Sequence, residues 1–281
     1  MKNKYIVDEP MILIDAIVNK LEYTHKKAKS LLTNEQVYVN NRIVTKYNYA
    51  LKLKDEVIIK SFNSNAISNV KILFEDKNII VVEKPHNLLT ISTTDEKEKT
   101  LYHIVSDYLK ERNKNARIFV IHRLDKETSG IIMFAKNEKI KKLYQDNWND
   151  LIRYRGYAAV VEGIMPKKED TITLNLQEND NMKVYVNKTG KEAITSYKVM
   201  KKNKDYSLLD VDIKTGRKNQ IRVTMEYLKH PIIGDKKYSS KNNSLKRLAL
   251  HAYKLIIKNP LTNKIDKYEI EIPKSFYYIV K

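Results

Sequence analysis

The chain has 281 residues, room for about two domains at roughly 100–200 residues each. Its 53 Lys and Arg against 34 Asp and Glu give a formal net charge of +19, which favours a polyanionic partner, RNA or DNA first, although the excess is mostly lysine spread along the chain. The absence of cysteine excludes disulfides, thiolate metal sites and cysteine nucleophiles. With no run near ~18 apolar residues and no signal-peptide pattern, a soluble cytoplasmic protein is expected.

Residues 8–23, DEPMILIDAIVNKLEY, read as a helix: Ile12, Ala16 and Leu21 recur at helical spacing, and Asp8 with Pro10 suits an N-terminus. Thr24 is placed to cap a second helix, HKKAKSLLTNEQ, with Lys26, Lys27 and Lys29 near its start. Two short alternating runs then flank Asn40-Asn41, a dipeptide that accepts positive φ and makes a hairpin turn, with Arg42 just after it. The polar stretch Ser61 to Ser68 reads as a linker.

From Lys71, VKILFEDKNIIVVEKP reads as two strands around the turn Glu75–Asn78, and TLYHIVSDYLKER as an amphipathic helix with Leu101, Ile104, Val105, Tyr108 and Leu109 on one side. FVI and IIMFA read as strands flanking a polar decapeptide. NEKIKKLYQDNWND reads as a helix and YRGYAAVVEG as a strand. TITLNLQ, AITSYKVM and SLLDVDIK read as further strands, TGRKNQIRVTMEYLKH turns into a helix, and ALHAYKLIIKNP and KYEIEIP close as strands. Strands outnumber helices and hairpins outnumber crossovers, which predicts an α+β domain with a largely antiparallel mixed sheet.

The decapeptide holds Arg123, Asp125, Lys126, Glu127, Thr128, Ser129 and Gly130. On its own, Asp125 near Thr-Ser-Gly makes a good turn, its carboxylate bonding a backbone N–H two residues on. In an extended segment residues two apart share a face, so Arg123 and Asp125 equally suit one cleft in a domain that meets phosphates. Lysine serves nearly everywhere in this chain, yet arginine is kept in IHRLD, in LIRYRGY and twice in TGRKNQIR, where its planar fork offers bidentate bonding that lysine lacks. Arg42, Arg112, Arg117 and Arg247 lie outside these stretches.

IHRLDKETSG resembles the HRLD-x-x-TSG signature of the RluA-type pseudouridine synthases. In that family's order, ILFEDKNIIVVEKPHNLLT is similar to its opening segment, with Lys84-Pro85; RGYAAVVEG to the segment with its active-site tyrosine, here Tyr157; and TGRKNQIRV to a third, whose arginine is here Arg222. HPIIGDKKY and LALHAYKLIIKNP match its tail, so the resemblance runs from Lys71 to Pro273. Two stretches depart from it: Lys218-Asn219 stand where the family has Thr-His, and His86-Asn87 where it has Ala-Gly.

The resemblance implies a pseudouridine synthase fold and the isomerisation of uridine to pseudouridine in RNA, with no cofactor, metal or ATP. It implies Asp125 as the essential ionised carboxylate, whether it adds to the sugar, adds to the uracil ring or supports ribose deprotonation. Arg222 would pair with it and hold it charged and aimed. Tyr157 would stack under the flipped uracil, with its hydroxyl available as a general base. Arg123 would fill the gap left by the flipped base or meet the RNA backbone; Lys84 would shape its segment or touch RNA; Arg217 would touch RNA. His122 would be structural.

The N-terminal order of elements resembles the S4-like RNA-binding domain, with Thr24, Lys26, Lys27, Lys29 and Arg42 as its RNA face. Lys54-Asp55 stands where that domain usually has Gly-Asp. The expected organisation is therefore 1–62 S4-like domain, 63–70 linker and 71–281 catalytic domain. The expected substrate is structured RNA, large-subunit ribosomal RNA first and tRNA second, acted on by a monomer. The competing reading is a non-catalytic RNA-binding or ribosome-assembly factor, which would be free to lose Asp125, Tyr157 or Arg222.

Overall fold

A computed structural model of the chain describes residues 3–33, 36–59, 70–92 and 100–281. The chain forms two compact units, Met1–Ser68 and Asn69–Lys281. The expected linker, 63–70, lies outside the described residues except for Val70. No helix among the described residues is long and apolar enough to cross a membrane.

In the first unit, β1 (Lys4–Ile6), β2 (Met11–Ile12), β3 (Val37–Val39), β4 (Arg42–Ile43), β5 (Ala50–Leu51) and β6 (Glu56–Ile59) form a four-stranded sheet, β1-β6-β3-β4, and a two-stranded one, β2-β5. Asn40 and Asn41 turn the β3–β4 hairpin at φ 48° and 65°, the conformation that asparagine tolerates best among residues with a Cβ. The helix expected over 8–23 is not there as one element. Met11-Ile12 pairs with β5 instead, α1 spans only Leu13–Asp15, and a π-helical turn, Ala16–Lys20, follows. Glu22 at φ 64° ends that run. Helix α2 (His25–Thr33) starts at Thr24, whose hydroxyl accepts the Lys27 N–H at 3.3 Å.

The second unit is built on one sheet: β7 (Lys71–Glu75), β8 (Ile79–Lys84), β9 (Phe119–Val120), β10 (Ser129–Ala135), β11 (Ile152–Glu162), β12 (Glu169–Glu178), β13 (Val184–Val186), β14 (Lys191–Lys202), β15 (Tyr206–Ile213), β16 (Leu250–Lys258) and β17 (Ile265–Glu269). The order is β13-β12-β14-β15-β11-β16-β10-β8-β7, with β17 on β16 and β9 on β10. Its pairings are antiparallel except β10 with β16. Helices α3 (Leu101–Arg112), α4 (Glu138–Asp146), α5 (Trp148–Leu151), α6 (Gln220–Tyr227) and α7 (Lys274–Ile279) complete it. Strand β13 and helix α7 were not anticipated.

Two features of this sheet position the site. All seven residues of β10 are buried, so this strand is a fixed support for the decapeptide before it. At Gly130, φ is 124°, and a Cβ there would lie 2.2 Å from the Ala252 carbonyl oxygen of the parallel neighbour β16. Only glycine lets the two strands meet there, which is why the turn ends in Gly. On β11, a register shift between Gly156 and Tyr157 breaks the regular ladder at Tyr157.

Candidate active site

Asp125 lies on the loop between β9 and β10, and the backbone on either side of it is clamped by Thr90, after β8, and by Lys84, at the end of β8. The Thr90 hydroxyl accepts the Leu124 N–H at 3.3 Å and donates to the Leu124 carbonyl at 2.9 Å. The Lys84 ammonium donates to the carbonyls of Pro85 at 3.0 Å, Leu88 at 2.7 Å and Lys126 at 3.0 Å. The Thr128 N–H bonds the Asp125 carbonyl at 3.2 Å and closes the turn. The loop therefore has little freedom, although its carboxylate remains 30% exposed at a cleft.

A second layer reaches that carboxylate from α6 and the turn at Gly234–Tyr238. Arg222 is buried in α6, and its Nε and Nη2 grip both oxygens of the fully buried Asp235 at 2.8 and 2.7 Å. Its Nη1 bonds Glu127 at 2.9 Å and lies 3.7 Å from Asp125. Burial works against the guanidinium charge, but Asp235, then Glu127 and Asp125, raise its pKa above the ordinary value. Asn219, the residue before α6, faces Asp125 with its amide, 2.9 and 3.2 Å from the two carboxylate oxygens. A carboxylate only accepts, so the NH2 end must point at it and the amide oxygen at the Tyr238 hydroxyl, 2.9 Å away.

Arg123, Asp125, Tyr157, Asn219 and Arg222 line one cavity of about 430 Å³, with Arg155 and Trp148 in its walls. An adjoining hollow of about 410 Å³ shares Arg123, Asp125, Arg217 and Arg222. Burial pushes the Asp125 carboxyl above the ordinary carboxylate range; the Arg222 charge opposes this and Glu127 adds to it. Burial also raises the Tyr157 phenol, against the charge of Arg155, so the neutral phenol is favoured. A half-open cavity with an aromatic wall, a held carboxylate and a cationic rim can take a planar base and its sugar phosphate.

Residues 78–227, over half of the chain, match the family described as RNA pseudouridylate synthase. The chain belongs to this family. It is an RNA pseudouridine synthase, and RNA is its substrate. It is 29% identical over 271 residues to "Uncharacterized RNA pseudouridine synthase YhcT" of Bacillus subtilis (strain 168), covering 93% of this chain and 89% of that one. It is 36% identical over 217 residues to "Ribosomal large subunit pseudouridine synthase D" of Borreliella burgdorferi, covering 74% of this chain and 66% of that one. The fold is shared with "Human RNA Pseudouridylate Synthase Domain Containing 4", at a TM-score of 0.63 and 22% identity over 76% of this chain and 93% of that one.

The synthase brings Arg123, Asp125, Tyr157, Arg217 and Arg222 to one cleft. Of the two roles expected of Lys84, the structure supports the shaping of its own segment. Lys84 has no exposed surface and gives all three ammonium donors to backbone carbonyls, so it braces the Asp125 loop and has nothing to offer RNA. Arg222 spends its bidentate fork on Asp235; Asp125 is an ion-pair neighbour beyond hydrogen-bond distance. Arg217 is exposed at the rim with its Nε tied to the Glu192 carbonyl at 2.8 Å. His122 accepts the Met133 N–H at 3.1 Å and packs on Trp148, and burial pulls its pKa down to about 3.

Lys26, Lys27, Lys29 and Arg42 are exposed in the first unit. Reasoning from sequence gave no site role to Thr90, Glu127, Asn219, Asp235, Tyr238 or Arg155. For Asp235 a signal existed. It follows Gly234, whose φ is 79° and where a Cβ would lie 2.1 Å from the Arg247 carbonyl oxygen. The Gly-Asp pair in HPIIGDKKY marks a tight turn with a directed carboxylate.

Proposed function

We propose that Asp125 is the essential carboxylate of the isomerisation, with Arg222 and Asn219 holding it, Tyr157 against the uracil and Arg123 and Arg217 meeting the RNA. The reaction breaks the bond from the sugar C1′ to uracil N1 and forms one from C1′ to C5; C5 loses a proton and N1 gains one. The observation that carries the reading is convergence: the Asn219 amide hydrogen-bonds, and the Arg222 guanidinium at 3.7 Å pairs with, one carboxylate that opens into the cavity lined by Tyr157. Among the described residues, no other carboxylate lines that cavity. Asp235 is consumed by Arg222, and Glu127 is 48% exposed beside the adjoining hollow.

The substrate we propose is large-subunit ribosomal RNA. The name of the Borreliella relative supports this, as does the net charge of +19. Residues 1–62 would act as an S4-like RNA-binding domain, joined through 63–70 to the catalytic domain 71–281. Its support is the β3–β4 hairpin and the exposed lysines of α2. Pseudouridines mapped by chemical labelling in ribosomal RNA and tRNA, from cells with and without the gene, test the target. A site lost from large-subunit ribosomal RNA is the expected result; a site lost only from tRNA would replace the proposed substrate.

A further inference from the structure

Asn219 stands at the N-cap of α6 with φ 53° and ψ 21°. An asparagine at an N-cap ordinarily turns its side-chain oxygen onto the first N–H groups of its own helix. This one makes no such bond, and the amide is turned away toward Asp125. What turns it is Tyr238, fully buried, whose hydroxyl donates to the amide oxygen at 2.9 Å and itself accepts the Val184 N–H at 3.2 Å. The chain of donors runs one way, from a strand amide through a phenol and a carboxamide to the carboxylate. Both Tyr238 and the Asp235 that grips Arg222 belong to one turn.

We infer that Asn219, oriented by Tyr238, is a positioning residue for Asp125 that fixes the carboxylate through a hydrogen bond no titration of its own can switch off. This rests on the reading of Asp125 as the essential carboxylate. Both oxygens of Asp125 sit within reach of one NH2, so Asn219 sets the tilt of the carboxylate plane. Arg222 at 3.7 Å sets charge but little direction. Asn219 also favours the ionised form, against the burial that disfavours it. The other ionisable groups facing Asp125 are Arg123 and Glu127 on its own loop, Lys84 on β8, Tyr157 on β11, Arg222 on α6 and Lys237 in the turn.

The test uses the full-length enzyme and total RNA from cells lacking the gene, with pseudouridine formation followed across pH. Asn219→Gly removes the amide while keeping a residue at ease at positive φ. The expected result is a roughly ten- to hundredfold fall in kcat, the range for losing a hydrogen bond to a charged group, with KM little changed. The acid limb of kcat moves to higher pH. Asn219→Asp puts a like charge beside Asp125 and moves that limb further. Tyr238→Phe gives a smaller shift in the same direction, and added to Asn219→Gly it costs no further kcat. A purely structural role for Tyr238 would lower the melting temperature equally in both backgrounds and leave the pH profile alone. Wild-type acid limbs in Asn219→Gly and Tyr238→Phe, with Asp125→Asn inactive, overturn this inference alone. Turnover by Asp125→Asn overturns it together with the reading beneath it.

Discussion

Lys26, Lys27 and Lys29 of the N-terminal unit stand exposed on α2, whereas Lys84 and Arg222 of the catalytic unit are buried and committed to named partners. The exposed lysines keep their hydration and their rotamer freedom, so each adds a modest, salt-screened attraction to a polyanion. The buried cations have given up water, and their free energy is tied to the geometry they hold. Affinity can therefore be spread over many replaceable charges, while aim depends on a few that cannot be moved.

The sharpest way to break this comparison is at Asp235. Asp235→Ala leaves the Arg222 guanidinium buried without its main partner. A destabilisation of about 3–5 kcal/mol is expected on urea unfolding, because an uncompensated buried charge is costly. Activity should fall at least a hundredfold in variants folded enough to assay, since Arg222 would swing from its post. Lys84→Met keeps the stem and drops three hydrogen bonds, to the carbonyls of Pro85, Leu88 and Lys126. About 3 kcal/mol of lost stability is expected, with a fall in kcat larger than any rise in KM. Unchanged stability would show that the loop does not need its brace.

A smaller effect is expected from acid. Burial pulls His122 down to about 3 and His251 down to about 4. In the unfolded chain both rings take a proton near pH 6.5. The unfolded state thus binds more protons as pH falls below about 6.5, and folding stability should drop between there and about pH 4. Urea midpoints at pH 7.5, 5.5 and 4.5 check this; a flat profile would mean the folded rings take up protons as readily as the unfolded ones. The smallest effect belongs to α2. Changing Lys26, Lys27 and Lys29 together to Ala should leave kcat intact and weaken RNA binding. The slope of log affinity against log salt should fall by roughly 0.7–0.9 for each lysine that meets a phosphate. An unchanged slope would remove α2 from the RNA face.

The strand-rich, mostly antiparallel domain was legible because alternation and turn residues are local signals: Asp76 closes the β7–β8 turn through its own carboxylate, accepting two N–H groups at 2.7 Å. The N-terminal helix was misread because Ile12, Ala16 and Leu21 are spaced as a helix would space them, and the β2–β5 pairing that overrides the pattern is a long-range contact. At the site, Asp125 was singled out by the resemblance of IHRLDKETSG to a family signature, since its own neighbours suit a plain turn as well. The grip on Arg222 was not readable, since Asp235 reaches it from a separate turn. Nor could the choice between the two roles of Lys84, shaping its segment or touching RNA, be made from sequence. A lysine looks the same in sequence whether it faces phosphate or a ring of carbonyls.

The measurement that tests the account most directly compares wild type with Asp125→Asn on the same RNA, following pseudouridine formed and RNA bound. The exchange keeps the shape and removes the charge. The account predicts loss of turnover by at least a thousandfold with RNA affinity within a few-fold of wild type, because the carboxylate is aimed at chemistry while binding is carried by the cationic rim and surface. Substantial turnover by Asp125→Asn, or loss of binding equal to the loss of turnover, would contradict it.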